Sequence, residues 1–165
     1  MLAFPDASGL RPTPDRVRET VFNWLGQSLH GKRCLDLFAG SGAMGFEAAS
    51  RGAAQAVLVE KEKAAARLLE QNRQVLKAES VRVQCMDAQH YIKGQDQRFD
   101  VIFVDPPYAS DLLAVVLPQL PGLLQPDGMV YMESRRWTTP AGWTELRKGK
   151  AGQVSYGLLV PASPG

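Results

Sequence analysis

Short apolar runs that alternate with helix-forming segments constrain this chain more than any other feature. From Lys32 onward, residues 34–38, 56–60, 81–85, 99–104 and 129–133 read as strands, each four to seven residues long in the way buried parallel strands are. Between them, 46–50, 63–77 and 88–93 have helical character, with Leu68, Leu69, Val75 and Leu76 spaced among helix-forming polar residues. Segment 112–124 begins as a helix that Pro118 and Pro121 interrupt. Two last strands, 144–150 and 154–160, flank Ala151-Gly152 as a hairpin. The pattern predicts an α/β fold: a mostly parallel seven-stranded sheet, helices on both faces, and a C-terminal antiparallel hairpin. Ligands of such sheets sit beyond the carboxyl ends of the strands. A length of 165 residues fits one domain over 1–165, with an N-terminal arm and capping helix in 1–30 and the α/β core in 31–165.

Ahead of the core, Pro5, Gly9 and Pro12 mark an arm, and Thr13-Pro14 reads as a helix start. Val17, Val21, Trp24 and Leu25 give that helix one apolar face, opposite Arg16, Glu19 and Asn23, and it is expected to end near Gly26. No apolar stretch approaches the roughly 20 residues that cross a bilayer, and the N-terminus has no basic start followed by an apolar run. Cys34 and Cys85 lie in apolar stretches without metal-ligand spacing, so both are expected as buried reduced thiols of a cytoplasmic protein without a metal. Net charge is only +2, but it is unevenly spread. Residues 1–33 carry five basic and three acidic side chains, 34–132 nine and twelve, and 133–165 five and two. Basic ends around a mildly acidic middle can attract a polyanion to one mouth of the domain.

Gly40-Ser41-Gly42-Ala43-Met44-Gly45 satisfies G-x-G-x-x-G between a strand and a helix, and Glu60 lies 20 residues after Gly40 at the end of the next strand. Glycines let backbone approach a ligand closely, and a carboxylate accepts two hydrogen bonds from a ribose diol. Phe38, Ala39, Gly40, Ser41, Gly42, Glu60 and Lys61 are therefore candidates for holding a nucleoside-containing cofactor. A nicotinamide dinucleotide and S-adenosylmethionine both meet that description. Asp36, four residues before Gly40, favours S-adenosylmethionine, because its carboxylate suits the cationic methionine end and opposes a pyrophosphate. Asp87-Ala88, at the end of the third strand, suits an adenine edge: the side chain accepts from the amino group and a backbone N–H donates.

Asp105-Pro106-Pro107-Tyr108 stands where the fourth strand ends. The exocyclic amine of a base is a poor nucleophile, because its lone pair is delocalised into the ring. Acceptors that hold its N–H bonds can aim that lone pair at an electrophilic methyl, and the Asp105 carboxylate with the Pro106 carbonyl are suited to this. Consecutive prolines restrict the backbone and leave that carbonyl without a ladder partner. Tyr108 can stack on the base, worth about 1–3 kcal/mol. His30 and His90 are isolated in sequence and suggest no nucleophilic triad.

Residues 11–25, Arg-Pro-Thr-Pro-Asp-Arg-Val-Arg-Glu-Thr-Val-Phe-Asn-Trp-Leu, resemble the bacterial RsmD-type methyltransferases, as do Leu35-Asp36-Leu37-Phe38-Ala39-Gly40-Ser41-Gly42 and Asp105-Pro106-Pro107-Tyr108. The similarity runs over nearly the whole chain, through 151–156. The glycine loop and the Asp-Pro-Pro-Tyr motif are shared by many amino-methyltransferases, whereas the Arg-Pro-Thr helix is specific. The resemblance implies a Rossmann-like class I enzyme that uses S-adenosylmethionine to methylate the N2 amine of a guanine in small-subunit (16S) ribosomal RNA. It further implies action on an assembled or assembling subunit, and an N-terminal helix that helps to close the cofactor site. One departure is that family members begin with a longer basic segment, whereas the ten residues before Arg11 hold no basic residue.

Arg11, Arg16, Arg135 and Arg136 are candidates for RNA contact, with Trp137, Trp143, Arg147, Lys148 and Lys150 nearby; Arg18 can serve RNA or the cofactor carboxylate. No long apolar interface helix is present, which favours a monomer. Related Pro-Pro-Tyr motifs keep DNA adenine-N6 and protein glutamine-N5 methylation as alternatives. A non-catalytic RNA-binding assembly factor and, more distantly, a nicotinamide oxidoreductase are the remaining ones.

Overall fold

A computed structural model describes residues 15–26, 28–106 and 111–162 of the chain. The expected arm, the Thr13-Pro14 helix start, Arg11, Pro107 and Tyr108 lie outside the described residues. In chain order the elements are α1 (Asp15–Leu25), β1 (Arg33–Asp36), α2 (Ala43–Ser50), β2 (Gln55–Val59), α3 (Lys63–Val75), β3 (Val81–Gln84), α4 (Ala88–Lys93), β4 (Phe99–Val104) and α5 (Leu112–Val116). Two short 3-10 turns follow, then β5 (Leu124–Ser134), β6 (Trp143–Ala151) and β7 (Val154–Pro161). The seven strands form one sheet in the order β3-β2-β1-β4-β5-β7-β6. β1 to β5 pair in parallel, and β7 runs antiparallel to both β5 and β6. This is the mostly parallel sheet with an antiparallel C-terminal hairpin that the alternation predicts.

Side chains alternate across the central strands and divide the core between two faces. On one face, Cys34, Val101, Phe103 and Tyr131 pack with Val17, Val21 and Phe22 of α1 and with Met44 and Ala48 of α2. Further along it, Ala56, Leu58 and Val81 meet Phe46 and Leu69 of α2 and α3. On the other face, Leu35, Val57, Ile102, Val130 and Met132 meet Tyr91 and Ile92 of α4 and Val116 of α5. Helices thus cover both faces, as strands apolar on both sides require. No helix among the described residues is long and apolar enough to cross a membrane.

Several expectations need correction. α2 starts at Ala43 rather than at 46, because Gly42, with φ 83°, turns the chain directly into the helix. β5 starts at Leu124 rather than at 129: Leu124 pairs with Phe99, and a register shift after it absorbs the turn-forming Pro126-Asp127-Gly128. Only one of the two cysteines is buried. Cys34 sits inside β1, where burial, then Asp100, pushes its thiol up to about 12. Cys85 is exposed, since it follows the last paired residue of the edge strand β3.

Aromatic contacts fasten α1 to the sheet. The Phe22 ring lies 5.7 Å from Phe103, Phe103 lies 6.0 Å from Tyr131, and Trp24 stacks on Tyr156 of β7 at 5.5 Å. The Arg51 guanidinium sits 5.1 Å above the Phe22 ring. Phe22→Ala is expected to lower unfolding free energy by about 3–5 kcal/mol in urea titration, because it opens a cavity at a fully buried ring. A loss below about 1 kcal/mol would contradict this anchoring role.

Candidate active site

β1 lies between β2 and β4, where the strand order reverses direction, and the chain leaving β1 is held by both neighbours. The Leu37 N–H donates to the Phe103 carbonyl at 3.1 Å, and the Ala39 N–H to the Val59 carbonyl at 2.9 Å. The loop then turns through left-handed backbone at Gly40 (φ 54°) and Gly42 (φ 83°). A Cβ on Gly42 would lie 2.6 Å from Leu69 and 2.7 Å from Phe46, so glycine is required by space as well as by conformation.

Two carboxylates hold this turn. The Gly40 N–H donates to Glu60 Oε1 at 3.0 Å and the Glu62 N–H to Glu60 Oε2 at 2.9 Å, so buried Glu60 ties the glycine loop to the end of β2. Asp36, only 5% exposed, accepts from the N–H groups of Gly45 and Phe38. Gly45 is in the first turn of α2, so Asp36 satisfies a donor that the helix itself cannot. Burial pushes Asp36 up to about 7 despite those bonds, and the negative charges of Glu60 and Glu133 push in the same direction. The carboxyl edge of the sheet is therefore a place where anions raise one another's energy and a cation is favoured.

At the end of β3, Asp87 caps α4: its Oδ1 accepts from the His90 N–H at 3.0 Å, and Oδ2 lies 2.7 Å from His90 Nδ1. These bonds, the backbone one first, hold the Asp87 carboxyl below its ordinary range. Ala88 is buried behind it, and Lys61 is exposed beside Glu60. Asp105 and Pro106 are half-buried and follow directly on β4, beside the loop that leaves β1. The structure thus brings Asp36, Phe38, Ala39, Gly40, Ser41, Gly42, Glu60 and Asp105 to the carboxyl ends of β1, β2 and β4, with Asp87-Ala88 one strand further out.

Glu133 and Tyr131 at the end of β5 are absent from the sequence reading, although both are buried polar groups beside Asp105. The signal was available in the alternation along β5, which turns residues 131 and 133 to the same side. Arg18 is engaged within the fold, with Asp15 at 2.9 Å and with Glu47 of α2 at 3.3 Å. Arg16, Arg135, Arg136, Arg147, Lys148 and Lys150 are exposed. Trp143 is buried in the core, and Trp137 is braced by Glu145 at 2.7 Å with Lys148 over its ring at 5.6 Å.

Residues 1–160 match the protein family described as Conserved hypothetical protein 95. Ribosomal RNA small subunit methyltransferase D of Escherichia coli strain K12 is 43% identical over 170 residues, spanning 99% of this chain and 86% of its own length. The chain belongs to this family. The Haemophilus influenzae ribosomal RNA small subunit methyltransferase D is 39% identical over 162 residues, spanning 93% of this chain and 84% of its own length. A solved methyltransferase structure from Escherichia coli superposes with a TM-score of 0.85 at 41% identity, covering 96% of this chain and 89% of the other. The sheet order described above is accordingly the class I, Rossmann-like methyltransferase fold.

The elevated Asp36 carboxyl has a consequence for this family member's stability. Between the ordinary carboxylate range and about 7, the folded chain retains a proton that the unfolded chain has released. This contribution to stability is present at low pH and lost as pH rises through about 7. Asp36→Asn is expected to remove that fall in unfolding free energy between about pH 5 and 7, measured by urea titration across the range. An unchanged slope would contradict the burial of the charge.

Proposed function

We propose that this chain transfers a methyl group from S-adenosylmethionine to the exocyclic N2 of a guanine in 16S ribosomal RNA, within the assembled or assembling small subunit. The observation that carries the reading is the set of carboxylates, Asp36, Glu60 and Asp105, at the carboxyl ends of three adjacent strands around a glycine turn. Such an edge opposes the pyrophosphate of a dinucleotide and favours a nucleoside with a cationic tail. Family membership supports the RNA substrate, since the relatives carry ribosomal RNA small subunit methyltransferase in their names. The enzyme is read as a cytoplasmic monomer that needs no metal.

Bound S-adenosylmethionine supplies an electrophilic methyl on a sulfonium. Glu60 has lone pairs beyond its two backbone bonds to accept from the ribose hydroxyls, and Gly40, Ser41 and Gly42 offer backbone without bulk. Phe38 and Ala39 lead into that turn and Lys61 flanks Glu60. Asp36 favours the ammonium of the methionine end, and Asp87 with the Ala88 N–H is assigned to the adenine edge. Asp105 and the Pro106 carbonyl accept the N–H bonds of the target amine, and the carboxylate stabilises positive charge developing on nitrogen. Pro107 and Tyr108 complete the motif, with Tyr108 assigned to stack on the base. Positioning supplies most of the acceleration, because no covalent intermediate forms on the chain. Arg11, Arg16, Arg135 and Arg136 are assigned to RNA phosphates; Arg18, held by Glu47, is assigned to seating α1 rather than to the cofactor.

The test is transfer of labelled methyl to small ribosomal subunits lacking native methylation, followed by nucleoside digestion. Label is expected in N2-methylguanosine, and Asp105→Ala is expected to lower kcat by about 10²–10³-fold. Label in N6-methyladenosine would replace the guanine assignment, and no label on subunits would contradict the ribosomal one.

A further inference from the structure

The structure holds a buried polar pair that this mechanism does not yet use. Phe103 of β4 pairs with Tyr131 of β5, and Val104 with Met132, so the next positions in the same register are Asp105 and Glu133. Alternation turns Phe103 and Tyr131 toward α1, and it places Asp105 and Glu133 on that same side. Tyr131 is 0% exposed and Glu133 only 6%, at the end of the sheet where the candidate site lies. Across the antiparallel boundary, Glu133 stands opposite Tyr156, whose ring is stacked on Trp24 of α1. A phenol and a carboxylate are costly in such a core, and their side chains are long enough to reach the residue that follows β4.

We propose that the Tyr131 hydroxyl, buried beside Glu133, is a positioning group that orients the Asp105 carboxylate toward the acceptor amine. The inference rests on the methyl-transfer reading given above. Tyr131 is held protonated, because burial first, then Glu133 and Asp105, keep its phenol well above the ordinary range. Among the described residues this O–H meets no acceptor at hydrogen-bond distance, so it is a buried donor left unengaged beside two acids. The groups facing it are Glu133 of β5, Asp105 after β4 and Tyr156 of β7, and Glu133 in turn acts on Asp36 of β1. From the helical side it meets Phe103 and, behind that ring, Phe22 with the Arg51 guanidinium over it. Once the acceptor amine is seated, donation from this hydroxyl to the Asp105 carboxylate would fix its rotation relative to the substrate N–H. The donor also favours the ionised carboxylate, the form that can accept.

Tyr131→Phe removes only the hydroxyl and keeps the ring packed on Phe103. With small subunits as substrate, it is expected to leave the S-adenosylmethionine dissociation constant unchanged and to lower kcat about tenfold or more. The acid limb of its kcat–pH profile should move to higher pH by about half a unit or more, since the carboxylate has lost a donor. Glu133→Gln should move that limb to lower pH, because it removes a competing acceptor and a neighbouring negative charge. If Tyr131→Phe fails to fold, the direction of the Glu133→Gln shift decides by itself. A Tyr131→Phe enzyme with lowered Tm but unmoved kcat and acid limb would show a core tyrosine only and overturn the proposal. Shifts of the two variants in the same direction would overturn it as well. A wild-type chain that methylates no subunits would overturn the methyl-transfer reading and this inference together; an active wild type with an unmoved variant profile would overturn this inference alone.

Discussion

The turn after β1 depends on two carboxylates for its shape. Asp36 takes the N–H groups of Phe38 and Gly45, and Glu60 takes those of Gly40 and Glu62. Left unpaired in a buried setting, each such donor costs about 1–3 kcal/mol, which is comparable with a sizeable share of a domain's net stability. The left-handed glycines make the turn sterically possible, and the carboxylates give its buried donors partners. In the function proposed above, the same acids form the negative edge that the cofactor meets. Local folding and ligand choice are therefore not separable here: a change that neutralises the edge also loosens the loop.

The helix ahead of the core is part of this arrangement. Val17, Val21 and Phe22 seat α1 on the face of β1, β4 and β5, and Arg18 and Arg51 meet at Glu47 on α2. Trp24 carries the contact across to Tyr156 of the terminal hairpin. One face of the sheet is thereby closed from α2 to β7, and the acids on that face are kept from bulk water. Low solvent access is what lifts Asp36 and Tyr131 out of their ordinary titration ranges.

Much of the architecture was legible in the chain because parallel strands buried on both faces are largely apolar, and the runs at 34–38, 56–60 and 99–104 are broken only by Asp36, Glu60 and Asp100. The positions of Asp36, Glu60, Asp87 and Asp105 followed from counting to the ends of those runs. What stayed hidden depended on partners distant in sequence. Leu124–Asp127 looks like a turn until Phe99 pairs with it, and Cys85 looks like core until the edge position of β3 is known. The pairing of Arg18 with Glu47, 29 positions away, is likewise invisible in one dimension. Tyr131 and Glu133 were missed for the same reason: a glutamate at a strand end reads as solvated until β7 covers it. Trp143 lies in sequence among the basic residues considered for RNA contact, whereas it fills the core behind the hairpin.

In the proposed function an anionic carboxyl edge, organised by Glu60, selects a cationic nucleoside. Equilibrium titration of the chain with S-adenosylmethionine and with a nicotinamide dinucleotide, repeated on Glu60→Ala, tests it most directly. Saturable binding of S-adenosylmethionine is expected, with none of the dinucleotide over the same range, and affinity lowered at least about tenfold by the substitution, as for lost charge-assisted hydrogen bonds. Equal affinity for both nucleotides, or a Glu60→Ala chain that folds and binds S-adenosylmethionine unchanged, would contradict it.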